Sequence, residues 1–328
     1  MPPLELTSLI HQALADVREF LPATPTQPSA VLSERFGRPV WLKLEIFQPI
    51  RNFKLRGAIE RFKGLERSGH RGPVVTASAG NHGLAVAWCA RRWQWPADVF
   101  VPENANPAKV AAISREGGSI HPAGRDYQAA FTAACEFAAQ NGYPFIHGFA
   151  DPEVIAGQGT IGLEILSACP SVGTVIAGVG GGGLLSGIAL AIRETRPDVC
   201  IVGVEPEGAA SMTASLEAGH VVALPEVDTI ADGLAPGRVD ERTLAIFKEH
   251  VDEVRLVKDD ELWPMMALLL AEEHLLVEPS AAVGLAAIER DPGIGHGDIV
   301  VVLSGGSISP RDLRHLARGI CSDGAAPA

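Results

Sequence analysis

Thr174-Val175-Ile176-Ala177-Gly178-Val179-Gly180-Gly181-Gly182-Gly183-Leu184 runs from an apolar segment through four consecutive glycines into a second apolar segment. Residues 174–177 have the unbroken apolar content of a strand buried on both faces. From Leu184 to about residue 195 the apolar residues recur at helical spacing, and 200–204 reads as another strand. A strand that turns through glycine into a helix is half of a βαβ unit. Bare backbone lets several N–H groups converge on an anion at the helix N-terminus, so the turn suits a phosphate. The same residues satisfy GxGxxG, and Glu205 ends the next strand where a ribose-binding acid belongs, so a nicotinamide-binding unit stays open. So does a purely structural reading, in which the glycines serve close helix–strand packing. No lysine follows as in a Walker loop, which argues against an NTPase.

Outward from this turn the alternation continues. Strands are expected at 40–44, 74–76, 99–101, 119–120, 144–146 and 299–303. Helices are expected at 8–20, 53–66, 81–92, 107–115, 126–140, 159–168, 209–218, 241–249, 259–273 and 281–289. Pro22, Pro25 and Pro28 mark an extended connector. Strands that alternate with helices form a parallel sheet covered on both faces, so the fold class is α/β.

Composition narrows the function. Of 328 residues, 47% are apolar and 20% charged, which suits a globular protein with one large or two medium domains. A net charge of −12 without a basic block argues against nucleic acid or an anionic membrane as partner. Cys89, Cys135, Cys169, Cys200 and Cys321 are scattered, odd in number and free of CxxC, so they read as reduced thiols. Met1-Pro2-Pro3-Leu4-Glu5 lacks the basic and apolar regions of a secretion signal, and a cytoplasmic location is the expectation.

Lys43-Leu44-Glu45-Ile46-Phe47-Gln48-Pro49-Ile50-Arg51-Asn52-Phe53-Lys54-Leu55-Arg56-Gly57-Ala58 is the second informative stretch. Asn52 can cap a helix that starts near Phe53, which puts Lys54 in the first turn. The helix dipole disfavours a cation there, and Phe53 and Leu55 desolvate it. Both effects lower the lysine pKa and suit a nucleophilic amine; an exposed first-turn lysine is the plain alternative. Thr76-Ala77-Ser78-Ala79-Gly80-Asn81-His82-Gly83 is a polar strand-to-helix turn able to offer N–H groups to a carboxylate, or simply a capped turn. Val302-Leu303-Ser304-Gly305-Gly306 leaves the last strand, and Glu278-Pro279-Ser280 opens a helix.

Gln48-Pro49 with Phe53-Lys54-Leu55-Arg56-Gly57-Ala58 resembles the pyridoxal-phosphate lysine motif of the threonine/serine dehydratases. These belong to the tryptophan-synthase-β-like, fold type II group, which also holds serine racemase. The turn at 76–83, the tetraglycine and the 302–306 exit match the same family in order. The resemblance implies two three-layer α/β/α domains with mostly parallel sheets. Residues 1–72 with 148–328 would form a large cofactor domain, and 73–147 a small substrate domain. It implies that Lys54 carries pyridoxal phosphate and takes the α-proton. Gly180, Gly181, Gly182, Gly183 and Leu184 would cradle the phosphate. Phe53, Asn81, Gly233, Glu278 and Ser304 would surround the ring, with Ser304 on its nitrogen. Ser78, Ala79, Gly80, Asn81 and His82 would meet the substrate.

Ala79 stands where racemases resemble one another in carrying a serine, and it cannot carry a proton. Racemisation needs acid–base groups on both faces, elimination on one. Phe149, in His147-Gly148-Phe149-Ala150-Asp151-Pro152, is similar to the dehydratase form. Val154-Ile155-Ala156-Gly157-Gln158-Gly159-Thr160 matches as a structural segment. Glu205, Ala209 and Ser211 resemble a cation-holding segment, with Ser211 in place of an aspartate, so a monovalent or divalent ion is a weaker expectation. Arg51, Asn52, Leu84, Ser280 and Ser307 depart from common family choices. The expected function is dehydration and deamination of a small 3-hydroxy amino acid, threonine or serine, in a homodimer or larger homo-oligomer. Alternatives are 3-hydroxyaspartate or another hydroxyamino acid, racemisation, a nicotinamide oxidoreductase, or a silent binding protein.

Overall fold

The computed structural model describes residues 3–323, with the side chains of residues 5–318. The chain opens with α1 (Pro3–Arg18), β1 (Thr26–Ser29), α2 (Ala30–Phe36), β2 (Val40–Leu44) and α3 (Lys54–Arg67). Next come β3 (Val74–Ala77), α4 (Asn81–Trp93), β4 (Ala97–Val101), α5 (Pro107–Arg115), β5 (Ser119–Pro122) and α6 (Tyr127–Asn141). The third part holds α7 (Pro152–Ala168), β6 (Val172–Gly178), α8 (Gly183–Arg193), β7 (Cys200–Pro206) and α9 (Ser211–Ala218). The last part holds α10 (Glu241–His250), β8 (Glu253–Val257), α11 (Leu262–Glu272), α12 (Pro279–Arg290), β9 (Asp298–Leu303) and α13 (Pro310–Asp323).

The strands form two sheets, one ordered β1-β2-β9-β6-β7-β8 and the other β3-β4-β5. All pairs are parallel except β1 with β2. In β9 the residues alternate between two cores. Ile299, Val301 and Leu303 join one, while Val300 and Val302 join the other. Both faces of the large sheet are therefore covered, which is why its central strands read as unbroken apolar runs.

Several elements depart from the sequence expectation. The proline connector contains β1 and α2, because an edge strand tolerates Pro28 without losing a ladder donor. The short edge strand β8, Glu-Val-Arg-Leu-Val, carries too many charges to stand out. The strand expected at 144–146 is a single bridge between Phe145 and Val75, since Pro144 has no N–H to extend it.

Two features hold α3 in place. The register pairs Leu44 of β2 with Leu303 of β9. Beyond it, Asn52 bridges Gly305, and the Phe53 N–H donates to the Ser304 carbonyl at 3.1 Å. The start of α3 is thus stapled to the end of β9. Behind it, α3 and α7 meet backbone to backbone. A Cβ on Gly157 would lie 2.4 Å from the Arg56 carbonyl oxygen, so only glycine fits. Beside that contact lies a buried charge cluster. Lys43 Nζ donates to Glu164 Oε2 at 2.6 Å and to the Thr24 carbonyl at 2.8 Å. Arg56 donates to Glu45 Oε2 at 2.8 Å and to Glu164 Oε2 at 2.7 Å. All four side chains are buried, so each depends on the others to offset its lost hydration.

Candidate active site

A cavity of about 330 Å³ lies where the two sheets face each other. Every residue expected to bind cofactor or substrate lines it, from Phe53 and Lys54 to Ser304. Glu205, Ala209 and Ser211 do not.

Lys54 is the first residue of α3, and its N–H donates to Asn52 Oδ1 at 3.0 Å. Asn52 thus satisfies one of the donors a helix start leaves open, although Phe53 is the capping residue. The Lys54 amine donates to the Gly148 carbonyl at 2.7 Å and lies 5.0 Å from the Phe53 ring centre. Among the described residues no carboxylate pairs with it. Burial lowers its pKa to about 8, against a smaller opposing pull from Glu278.

Two helix N-termini open on the cavity. In α8 the Ser186 N–H donates to the Gly182 carbonyl, so the N–H groups before it have no acceptor within the helix. In α4 the corresponding bond runs from Leu84 to Gly80. Each end attracts an anion through its free donors and the helix dipole. The glycines of the α8 turn are required by the protein's own packing. A Cβ on Gly181 would lie 2.3 Å from the Phe149 ring, and Gly182 has φ +86°. Side chains here would displace the turn, so the backbone stays bare toward the cavity.

The Ser78–Asn81 turn is shaped by its own hydroxyl, since the Gly80 N–H donates to Ser78 Oγ at 3.1 Å. Asn81 Nδ2 donates to both oxygens of Glu278, at 2.9 and 3.2 Å. Glu278 also accepts the Ser307 N–H at 3.2 Å. Burial, helped by the nearby charge of Asp232, raises its pKa. His82 Nε2 lies 3.2 Å from the Ile146 carbonyl oxygen, and Nδ1 is buried without a partner. Burial and Lys54 push its pKa down to about 3, so the ring is neutral. Gly233 is fixed by its N–H bond to Ser280 Oγ at 3.0 Å.

Glu205 is occupied elsewhere. Oε1 accepts the Met212 N–H at 2.7 Å, and Oε2 accepts the Thr213 N–H at 2.9 Å and hydroxyl at 2.7 Å. The carboxylate caps α9 and does not reach the glycine turn as a ribose-binding acid would. Ser211 Oγ donates to the Pro236 carbonyl at 3.1 Å. Among the described residues no cluster of three or more His, Cys, Asp or Glu side chains forms a cation site.

Lys109 and Tyr127 line the cavity but carry no motif and were not anticipated. Lys109 of α5 pairs with Asp232 at the cavity wall. Tyr127, at the start of α6, lines the same cavity while remaining 37% exposed. The only local signal for Tyr127 is Asp126, the side-chain cap that precedes it.

The arrangement fits pyridoxal phosphate on this structure's own observations. A desolvated amine without an ion-pair partner, a bare glycine turn at a helix start and an orphaned His82 Nδ1 share one cavity. Known proteins agree with it. The model of the family "pyridoxal-phosphate dependent enzyme" matches residues 17–305. The L-threonine ammonia-lyase of Geobacter sulfurreducens is 40% identical over 319 residues, covering 97% of this chain and 79% of that protein. The processed form of threonine deaminase isoform 2 from Solanum lycopersicum superposes with a TM-score of 0.90 at 36% identity, covering 96% of this chain and 93% of that one. Maize serine racemase superposes with a TM-score of 0.88 at 31% identity, covering 97% of this chain and 98% of that one. None of the described helices is long and apolar enough to cross a membrane. From the match along most of its length and the lysine and glycine turn that meet in its cavity, the chain belongs to the pyridoxal-phosphate dependent enzymes.

Proposed function

We propose that this protein eliminates water from a small 3-hydroxy amino acid, threonine or serine, to release a 2-oxo acid and ammonia. The observation that carries the reading is one half-buried, desolvated amine, without a carboxylate partner among the described residues, in a cavity with two anion-seeking helix starts. One start suits the cofactor phosphate and the other a substrate carboxylate. Relatives named threonine ammonia-lyase, at 40% and 35% identity, support the substrate class.

In this reading Lys54 is the attachment point for pyridoxal phosphate, which supplies the electron sink when bound. The backbone at 180–184 would hold the phosphate. Ser304 would meet the ring nitrogen, and its neutral hydroxyl would not hold a proton there as a carboxylate does. Phe53, Gly233 and the Asn81–Glu278 pair would border the ring. Ser78, Ala79, Gly80, Asn81 and His82 orient the substrate carboxylate. The Lys54 amine, held by Gly148, takes the α-proton on its own face. Ala79 lines the cavity and has no group to return a proton from another face, which favours elimination over racemisation. A cation at Glu205, Ala209 and Ser211 is disfavoured by the three hydrogen bonds that Glu205 already accepts.

We read residues 73–147, which hold the three-stranded sheet, as a small substrate domain, and 1–72 with 148–328 as the cofactor domain. Scattered free thiols suit a cytoplasmic enzyme, and the family resemblance suits a homodimer or larger assembly. The test is the visible absorption of the purified protein, followed by borohydride and peptide mapping. A band fixed onto Lys54, with 2-oxobutyrate accumulating on addition of threonine, is the expected outcome. A band without product would move the substrate to another hydroxyamino acid, and no band at all would overturn the assignment of Lys54.

A further inference from the structure

His147 lies outside the cavity lining, next to Gly148 and Phe149, which line it. Its Nδ1 accepts the N–H of Ala150 at 3.1 Å and of Phe149 at 3.3 Å. Its own N–H donates to Asp151 Oδ2 at 2.9 Å. The ring is wedged among aromatic neighbours, with centres 4.5 Å from Phe149 and 5.5 Å from Phe131. On the far side Arg242 donates to the Ala150 carbonyl. The enclosed turn presents two groups. The Gly148 carbonyl accepts the Lys54 amine, and Phe149 packs against Gly181 and Gly183 of the glycine turn.

We propose that His147 is a positioning residue for Lys54: its unprotonated Nδ1 fixes the 148–150 turn, so that the Gly148 carbonyl holds the free amine in place and Phe149 braces the glycine turn. An accepting Nδ1 requires the ring proton on Nε2. Burial is the main cause that holds the imidazole neutral, lowering its pKa to about 4, with Asp240, Lys54 and Arg242 as the charged neighbours that modify it. The inference rests on the reading of Lys54 as the working amine. A misplaced amine slows proton removal without weakening the grip on the substrate carboxylate, which is made by α4.

The test compares His147→Leu with His147→Asn, whose Oδ1 can take the place of Nδ1 as acceptor. The first readout uses the full chain freed of cofactor by hydroxylamine. The pH midpoint of Lys54 labelling by a small amine reagent is followed on its peptide, with Glu278, His82 and His147 as the titratable groups that face it. In His147→Leu the midpoint falls below the value of about 8, because the ammonium form loses its carbonyl acceptor. In His147→Asn it stays at the wild-type value. The second readout is the holoenzyme with α-deuterated threonine. In His147→Leu kcat falls about 10-fold to 100-fold with little change in KM, as for a small misplacement of a reacting group, and the isotope effect on kcat rises. His147→Asn restores both. A leucine midpoint that is unchanged or raised overturns the proposal. If the leucine variant does not fold, a displaced midpoint in the folded asparagine variant overturns it equally. Wild-type failure on threonine with the midpoint shift intact would sink the substrate reading and leave the role of His147 standing.

Discussion

Lys43 is fully buried and Lys54, eleven positions on, is half-buried at the cavity, and their surroundings differ in kind. Lys43 ends in the charge cluster, bonded to Glu164 and the Thr24 carbonyl, with Glu45 at 3.9 Å. Lys54 ends at a single carbonyl, with no carboxylate bonded to it. Burial lowers both pKa values, but at Lys43 two carboxylates oppose the shift, while at Lys54 only Glu278 does so from a distance. A charged, saturated lysine is a structural bolt. A desolvated lysine with a spare lone pair is a reagent. The company of carboxylates, more than the degree of burial, sets the two apart.

Four experiments break or sharpen this contrast. The largest effect is on turnover. Lys54→Ala lowers kcat by at least about 10³-fold, the scale of losing an acid–base or nucleophilic group. Its unfolding free energy stays within about 1 kcal/mol of wild type, since no ion pair is broken. Steady-state assay and denaturant titration on one preparation check both halves.

Lys43→Met is expected to reverse the pattern. Removing one member of a buried cluster costs about 3–5 kcal/mol, read as a lowered denaturation midpoint. Adding Glu164→Gln recovers part of that loss, because the stranded charge goes with it. If Lys43→Met is as stable as wild type, the cluster is not the bolt described here.

Amine labelling across pH sharpens the contrast further. Lys54 is charged below about 8 and free to react above it, so its labelling rises through that pH and not through the ordinary lysine value of 10.5. Lys43 is fully buried and labels only as the protein unfolds. A Lys54 midpoint near 10.5 would contradict its desolvation.

The smallest effect concerns the loop between the two lysines. Arg51 has φ +62°, a left-handed conformation that glycine adopts freely. Its backbone accepts the Gly306 N–H at 2.8 Å, a bond that glycine keeps. Arg51→Gly stabilises the protein by roughly 0.5 kcal/mol, the left-handed penalty of about 1 kcal/mol less the added chain entropy of glycine. Chemical denaturation resolves the sign.

The contiguous parts of the site were legible in the sequence. The glycine turn, the 76–83 turn and the Lys54 stretch each carry their geometry locally, through a strand, a special turn and a helix start. Interior strands were legible for the same reason, because burial on both faces writes an unbroken apolar run. Edges were not. Neither β1 nor β8 is covered on both sides, and their mixed composition resembles loop. The Lys109–Asp232 pair spans 123 positions, and Tyr127 is an ordinary helix-start residue. Their place in the cavity follows from how the two sheets face each other, which no local pattern encodes. His147 was visible as part of a motif, but its task, accepting two N–H groups of the next turn, appears only in three dimensions.

The bridge from Asn52 to Gly305 also sets a schedule for synthesis. Lys54 belongs to the first fifth of the chain, yet the strand beside it is β9 and the carbonyl that tethers Phe53 belongs to Ser304. On the ribosome the lysine therefore emerges long before its surroundings exist. The closing contacts span some 250 positions, a separation that makes them slow to form and late in order. A nascent chain halted before residue 298 would have its reactive amine but no finished seat for the cofactor, so cofactor capture waits for β9 to be made.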